Sequence, residues 1–299
     1  IEWTGSELNE TVTITADASG MITLYSGTQP MGQGIATSYL QIFSEQLQIP
    51  VKQLKVVQGD TDLVEGHGSV GSRSLFVGGN AILRGIEDFL EECKQLAASE
   101  LEASVEDLEY HQGNFQVKGT RVGIGIFDLC SRQSDNSISV KRKKELTGRS
   151  WPNGCHVAEV EIDAETGEVR LDRYVSVDDV GNTVNPMIVH GQVQGGIASG
   201  LGQAVLERTE YDASGQLLSG SYMDYALPRA DDMPSLSGSL FEKAPCLTNP
   251  LGAKGTGEIG AVAGPPAIVH AVIDALAEKG ITQVDMPLQP QKIWECLNR

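Results

Sequence analysis

The chain has 299 residues, 40% of them hydrophobic and 21% charged, with 22 Lys and Arg against 40 Asp and Glu for a formal net charge of −18. That length can bury one large core or two of ordinary size, and no apolar run approaches the length of a transmembrane helix. The charge repels phosphate backbones and anionic lipid surfaces, so neither nucleic acid nor membrane is an expected partner and a soluble protein is.

Residues 11–16 (TVTITA) and 21–26 (MITLYS) are β-branched and apolar, and Asp17-Ala18-Ser19-Gly20 between them has turn chemistry, which predicts a hairpin. Met31-Gly32-Gln33-Gly34 follows, then a helix over 35–47 in which Ile35, Tyr39, Ile42, Phe43 and Leu47 recur at helical spacing, closed by Pro50. A short strand at 54–57, a loop over 58–71 and a long helix from about Leu75 to Leu101 come next. A second hairpin is expected over 107–117, turning at His111-Gln112-Gly113.

Residues 132–154 are polar and almost free of apolar runs, and the basic run Lys141-Arg142-Lys143-Lys144 lies among them, so this stretch reads as a solvated linker. Beyond it, strands at 157–163 and 168–178 turn at Ala164-Glu165-Thr166-Gly167, and Gln192-Val193-Gln194-Gly195-Gly196 leads into a helix to about Arg208. Hairpin, glycine-rich segment and helix thus occur in both halves, which suggests a repeat. A hairpin over 211–218 and a last helix from about Pro265 to Lys279 complete an α+β protein.

Five cysteines, Cys93, Cys130, Cys155, Cys246 and Cys296, are widely spaced and form no CxxC pair, so reduced and mostly buried thiols are expected. That fits a cytoplasmic location. None of the five histidines stands at metal-ligand spacing from another His or a Cys, so no protein-ligated metal site is expected. The start, Ile1-Glu2-Trp3-Thr4-Gly5, has neither an initiator Met nor a signal peptide, which suggests a fragment, a processed subunit or an ordered remainder.

Four glycine-rich segments each open onto a predicted helix: 31–34, 68–74, 191–196 and 254–260. Amides left free in a helix's first turn, with the helix dipole, favour anions, and glycine admits a ligand close to the backbone. Any one such loop can be a tight connection, but four together point to a large polyanionic ligand. Gly255-Thr256-Gly257-Glu258-Ile259-Gly260 satisfies the GxGxxG dinucleotide fingerprint, yet Pro245 and Pro250 precede it where a buried strand is required. His67-Gly68-Ser69-Val70-Gly71 lacks the first glycine of a nucleophile elbow, and Lys254 is followed by Gly255 rather than the Ser or Thr of a phosphate-binding Walker loop.

Taken together, MGQG at 31–34, GSVGSRS at 68–74, GQVQGG at 191–196 and KGTGE at 254–258 resemble, in sequence and order, the molybdopterin-binding segments of the xanthine dehydrogenase and aldehyde oxidoreductase family. Val180-Gly181-Asn182, the stretch 223–230 (MDYALPRA) and Asn249-Pro250-Leu251-Gly252 resemble it as well. The resemblance covers nearly the whole chain and corresponds to the C-terminal part of the molybdenum subunit. It implies two molybdopterin-binding domains with the cofactor between them: 1–131 as the C-terminal part of the first, 132–153 as linker and 154–299 as the second.

In that family backbone amides and a few polar side chains hold the pterin, and no protein residue ligates the metal. By motif, Gly32, Gln33, Gly34, Ser69, Val70, Gly71, Ser72, Arg73, Ser74, Gln192, Gln194, Lys254, Gly255, Thr256 and Gly257 would line the cofactor. Arg73 suits a phosphate or a pterin carbonyl. Glu258 would lie beside molybdenum as the catalytic base. There the helix dipole favours its carboxylate while Ile259, Ala261 and Val262 limit its solvation.

The implied reaction inserts a water-derived oxygen at an aldehyde or N-heteroaromatic carbon, and carbon monoxide, purines, nicotinate and simple aldehydes all stay open as substrates. The implied cofactor is molybdenum-molybdopterin, plain or as the cytosine dinucleotide. Electrons would leave through [2Fe-2S] clusters and FAD on an iron-sulfur and a flavin subunit, because this chain has no cluster-binding cysteine array. The family places a further molybdenum-subunit domain before the point where this chain starts, so the chain alone should be incomplete, with that domain or a separate large subunit as partner. Two rivals remain: a non-catalytic structural subunit, and a nicotinamide-dependent dehydrogenase built on residues 255–260.

Overall fold

The computed structural model describes residues 1–5 and 7–298. They form two compact units, the first made of Trp3–Ser150 and Pro245–Gly255, the second of Ile1–Glu2, Trp151–Ala244 and Thr256–Arg299.

In the first unit the alternating apolar residues of β1 (Asn9–Asp17) put Val12, Ile14 and Ala16 on one buried face. The Asp17 carboxylate accepts from Ser19 N at 2.8 Å in the turn to β2 (Ile22–Ser26), and the hairpin pairs Val12 with Ser26 through Ala16 with Ile22. The expected helix is α1 (Ile35–Leu47), which buries Ile35, Tyr39, Ile42, Phe43 and Leu47. β3 (Leu54–Gln58) returns parallel to β2. A π-helical turn at Ser74–Gly79 then leads into α2 (Asn80–Glu100), whose buried stripe is Ile82, Ile86, Phe89, Cys93 and Ala97. β4 (Leu108–His111), β5 (Asn114–Val117) and β6 (Gly123–Gly125) make a small antiparallel sheet, followed by α3 (Ile126–Ser131).

Residues 132–153, expected as a linker, instead carry β7 (Ser137–Glu145). It pairs antiparallel with the whole of β1, from Asn9 with Glu145 to Asp17 with Ser137, and forms the edge of the sheet ordered β3-β2-β1-β7. The composition misled because an edge strand with one solvated side needs few apolar residues. Lysines there also discourage pairing with another chain. Arg142, within the basic run, is ion-paired to Asp88 of α2. The chain leaves this unit after Ser150 and returns to it for Pro245–Gly255, a discontinuity that no composition shift announces.

The second unit opens with β8 (Asn153–Ile162) and β9 (Val169–Asp179), an antiparallel pair with a register shift at Glu159/Val160. α4 (Pro186–Leu201) follows, and β10 (Leu236–Leu240) returns parallel to β9. α5 (Ile259–Ala275) and α6 (Pro290–Leu297) complete it. Leu171 and Tyr174 of the hairpin are buried with Val193, Ile197 and Leu201 of α4, Ile268 and Val272 of α5 and Ile293 of α6. Both units thus run hairpin, helix, then a strand parallel to the hairpin's second strand. This gives the repeat read from the sequence a topological counterpart and makes each large sheet a mixed one, as in an α+β fold.

Two local expectations fail. The hairpin over 211–218 reduces to a single bridge between Tyr211 and Leu217. Its turn forms, with Asp212 Oδ1 accepting from Ser214 N at 2.8 Å and Gln216 N at 2.9 Å, but its flanks are exposed and have no face to bury. The last long helix starts at Ile259 rather than near Pro265 and runs through Pro265 and Pro266. Two missing amide donors are tolerated there because Pro265 packs on α4, where a Cβ added to Gly200 would lie 2.9 Å from its Cδ. Among the described residues no helix is long and apolar enough to cross a membrane.

Candidate cofactor-binding site

Three of the four glycine-rich segments contribute to the first unit. α1 starts from Gly34, which is in the left-handed region (φ 77°) and has no side chain with which to cap the first turn, where Thr37 N donates to Gly34 O at 3.1 Å. Gln33 folds back, its Nε2 donating to Gln29 O at 2.8 Å and its Oε1 accepting from Met31 N at 2.8 Å. The same Nε2 lies 3.4 Å from Ser69 Oγ, which donates to Gln29 O at 2.8 Å and accepts from Ser74 Oγ at 2.7 Å. Gln33, Ser69 and Ser74 therefore meet although they come from loops well apart in sequence.

Within the second loop Gly71 and the non-glycine Ser72 are both in the left-handed region, at φ 58° and 52°. Strain of that kind persists where surrounding structure imposes it, and it is common at ligand sites. Val70 projects from the loop, 53% exposed. Lys254 is half-buried, and Gly255 next to it donates its amide to Ser150 Oγ at 3.2 Å. A Cβ on Gly255 would overlap the Thr4 side chain and lie 2.7 Å from Ser72 Cβ, so only glycine allows this segment to lie against the 68–74 loop.

The Arg73 guanidinium has a different task from the phosphate or pterin contact expected of it. It is wholly buried and bonded to Glu10 and to the carbonyls of Glu7, Gly68 and Asn9. Burial of a charge in this unit demands such partners, and sequence spacing does not disclose that Glu10 supplies one.

In the second unit GQVQGG does not form a loop ahead of a helix but lies inside α4. Asn185 caps that helix, its side chain accepting from Ile188 N at 3.1 Å, and Pro186 at the first turn suits a start five residues before the motif. The glycines serve helix packing: a Cβ on Gly196 would lie 2.8 Å from Gly260 Cα, and one on Gly200 2.9 Å from Gly264 Cα. This register makes α4 and α5 parallel, and Gln192, one turn before Gly196, comes level with the 256–258 segment that enters α5. Gln194 is about 200° further round the helix and faces away, exposed.

Thr256 is half-buried, Gly257 and Glu258 are exposed, and Glu258 is the residue from which α5 starts. Ile259 is buried below it, whereas Val262 is 47% exposed, so the apolar neighbours do not enclose the carboxylate as expected.

A buried polar set in the second unit escaped sequence reasoning. His156 Nε2 is 2.8 Å from Asp178 Oδ1 and its Nδ1 2.9 Å from the Tyr174 hydroxyl. With Asp178 ionised, Nε2 carries the proton and Tyr174 donates to Nδ1. Burial, then the Asp178 charge, pushes the Tyr174 phenol up from its ordinary value. Residues 18 and 22 positions apart come together only through strand pairing.

Comparison with known proteins decides the family. A model of the molybdopterin cofactor-binding domain matches residues 2–234. The chain belongs to the molybdopterin cofactor-binding domain family. It is 34% identical to the 6-hydroxypseudooxynicotine dehydrogenase complex subunit gamma of Paenarthrobacter nicotinovorans, over 97% of this chain and 38% of that protein. It is 33% identical to the carbon monoxide dehydrogenase large chain of Hydrogenophaga pseudoflava, over 91% of this chain and 35% of that one. Its structure superposes on crystalline quinoline 2-oxidoreductase from Pseudomonas putida 86 with a TM-score of 0.88 at 31% identity, covering 100% of this chain and 41% of the other. The chain thus spans about two fifths of the length of these relatives.

The first unit of this molybdopterin cofactor-binding domain protein suits such a group. Its loops offer neutral amide and hydroxyl side chains and an open edge at Gly32, where an added Cβ would meet nothing within 4 Å. Among the described residues no cluster of His, Cys, Asp and Glu is arranged to hold a metal. A pterin that brings its own metal needs none.

Proposed function

We propose that this chain is the cofactor-binding part of a molybdenum-dependent hydroxylase large subunit, acting on a C–H carbon of an N-heteroaromatic ring or an aldehyde. The observation that carries the reading is the convergence of Gln33, Ser69 and Ser74 on one hydrogen-bond network, with Gly255 pressed against Ser72. Loops that serve only as connections have no need to be tied together across so much sequence. The similarity to quinoline 2-oxidoreductase favours the heteroaromatic substrate class.

In this reading the backbone of 32–34, 69–74 and 254–255 holds the pterin. When bound, the cofactor supplies Lewis-acid activation of a water-derived oxygen and takes up the electron pair from the substrate. Glu258 takes the proton from that nucleophile. Its carboxylate stands at the start of α5, where it can reach a group bound ahead of that helix. The pterin is molybdopterin or its cytosine dinucleotide, and electrons pass to [2Fe-2S] and FAD groups on partner subunits in the cytoplasm. Relatives named as the gamma subunit of a complex and as a large chain support such an assembly.

The nicotinamide alternative lacks its fold: in the described residues β10 ends at Leu240 and turns, not a strand, lead to Gly255. The test is molybdenum and pterin analysis of the full-length protein purified with its native partners. Near-stoichiometric amounts are expected, with Glu258→Gln lowering turnover at least about a hundredfold at unchanged molybdenum. An intact complex without either would favour a non-catalytic subunit, and a fully loaded Glu258→Gln enzyme with wild-type turnover would remove the base assignment.

A further inference from the structure

The Arg73 guanidinium is at the centre of a network that reaches both loops of the first unit. Its Nη1 donates to Glu10 Oε2 at 2.8 Å and Gly68 O at 2.7 Å, its Nη2 to Asn9 O at 2.6 Å and its Nε to Glu7 O at 3.1 Å. Glu10, equally buried on β1, accepts from Thr11 N at 3.0 Å through Oε1. That oxygen also abuts Gly27: an added Cβ there would come within 2.6 Å of it and 2.5 Å of Gly66 Cα. Gly68, whose carbonyl Arg73 holds, donates its own amide to Gly27 O at 3.1 Å. The next residue, Ser69, makes the bonds to Gln29, Gln33 and Ser74 already described.

We propose that the buried Glu10–Arg73 pair is a positioning device that locks the 68–74 loop to the 27–34 segment, so that both are set before the cofactor arrives. This rests on the cofactor-binding reading above. A buried ion pair adds little net stability, because the desolvation of both charges offsets their attraction, and an apolar pair of similar volume often serves the fold as well. What it adds is direction. The planar guanidinium ties together four acceptors from β1, the residues before it and the loop, which an ammonium or an apolar side chain does not do.

The test uses the complete enzyme with a Glu10→Leu/Arg73→Met double variant, which fills the core without leaving an orphan charge, and an Arg73→Lys variant. Global melting of the double variant is expected to fall, because Met leaves the carbonyls of Glu7, Gly68 and Asn9 without their donor, so exchange at the two loops is read relative to that of 12–16 in the same variant. Amides of 27–34 and 68–74 are expected to exchange about tenfold faster, and together, while those of 12–16 stay protected. Pterin release on dilution should quicken by a similar factor, and the visible circular dichroism of bound pterin, which reports its surroundings, should change shape. Lysine at 73 should not restore either loop. Should Arg73→Lys fail to fold, the double variant decides the matter, and Glu10→Gln provides a milder third. Folded variants with wild-type exchange at either loop, or with loosened loops and unchanged pterin release, would overturn the proposal. A wild-type complex without pterin would instead remove the cofactor reading, while hydrogen exchange would still decide whether the pair couples the loops.

Discussion

The parallel seam of α4 and α5 makes alanine substitution of its glycines a directional test. A Cβ at Gly260 would lie 2.6 Å from Ile197 N, 2.8 Å from Gly196 C and closer still to Val193 O, all backbone atoms that no rotamer change can move. The helices must part by close to 1 Å, and a gap of that size forfeits roughly a quarter to a half of the dispersion energy along the seam. Overpacking of this kind costs about 1–3 kcal/mol, against which alanine's helix propensity returns at most about 1 kcal/mol. One turn on, a Cβ at Gly264 would meet its nearest atom, Gly200 Cα, at 3.2 Å, and at Gly195 it would meet nothing within 4 Å. Gly260→Ala should therefore lower the melting temperature of the second unit by roughly 5 °C, Gly264→Ala should be near neutral and Gly195→Ala should raise it by up to ~3 °C. The assay is thermal melting of the intact protein with hydrogen exchange read on α4 and α5. Equal stability of the Gly260 and Gly264 variants would refute the close-approach account.

Gly255→Ala should displace the 68–74 loop through its overlap with Thr4 and Ser72, and pterin content per chain is expected to fall about tenfold or more while the circular dichroism of the fold is kept. Tyr174→Phe leaves the buried His156 Nδ1 without its donor and should cost about 1–2 kcal/mol, read from the urea midpoint. Cys155 is exposed and the other four cysteines are buried, so one thiol per chain should react with iodoacetamide at pH 8 and the rest only after unfolding. Burial pushes the Cys130 thiol up to about 11 from 9.0 and Cys93 higher still. Folding that raises these values contributes stability that is fully present below about pH 9 and is lost as pH rises through 11, because the unfolded thiols ionise first. Urea midpoints should fall between pH 8 and 11, and by less in Cys130→Ala.

Much of the first unit was legible because its apolar residues repeat with the period of the element they occupy. Val12, Ile14 and Ala16 alternate, and Ile35, Tyr39, Ile42, Phe43 and Leu47 follow a helix. β7 was not legible, since an edge strand buries so little that its basic run looks like linker. GQVQGG was read as a loop because glycine has two uses, left-handed backbone and close helix approach, and only a partner at the crossing distance tells them apart. Pro265 and Pro266 likewise sit inside a helix that local propensity would end.

By itself the sequence determined the α+β class, the absence of metal-ligand spacing and, through four motifs in order, the family, and it suggested the hairpin-and-helix repeat. These depend on local chemistry and on short patterns that survive in one dimension. Tertiary structure alone decided which side chains are committed to the fold. Arg73 reads as an anion contact until Glu10 is seen beside it, and Gln192 and Gln194 read alike until the helix turns one toward α5 and the other to solvent. His156, Tyr174 and Asp178 form one buried set only through the pairing of β8 with β9. The physical reason is common to all three cases: burial and hydrogen-bond saturation belong to pairs of residues brought together by folding, and no single position in a sequence carries that information.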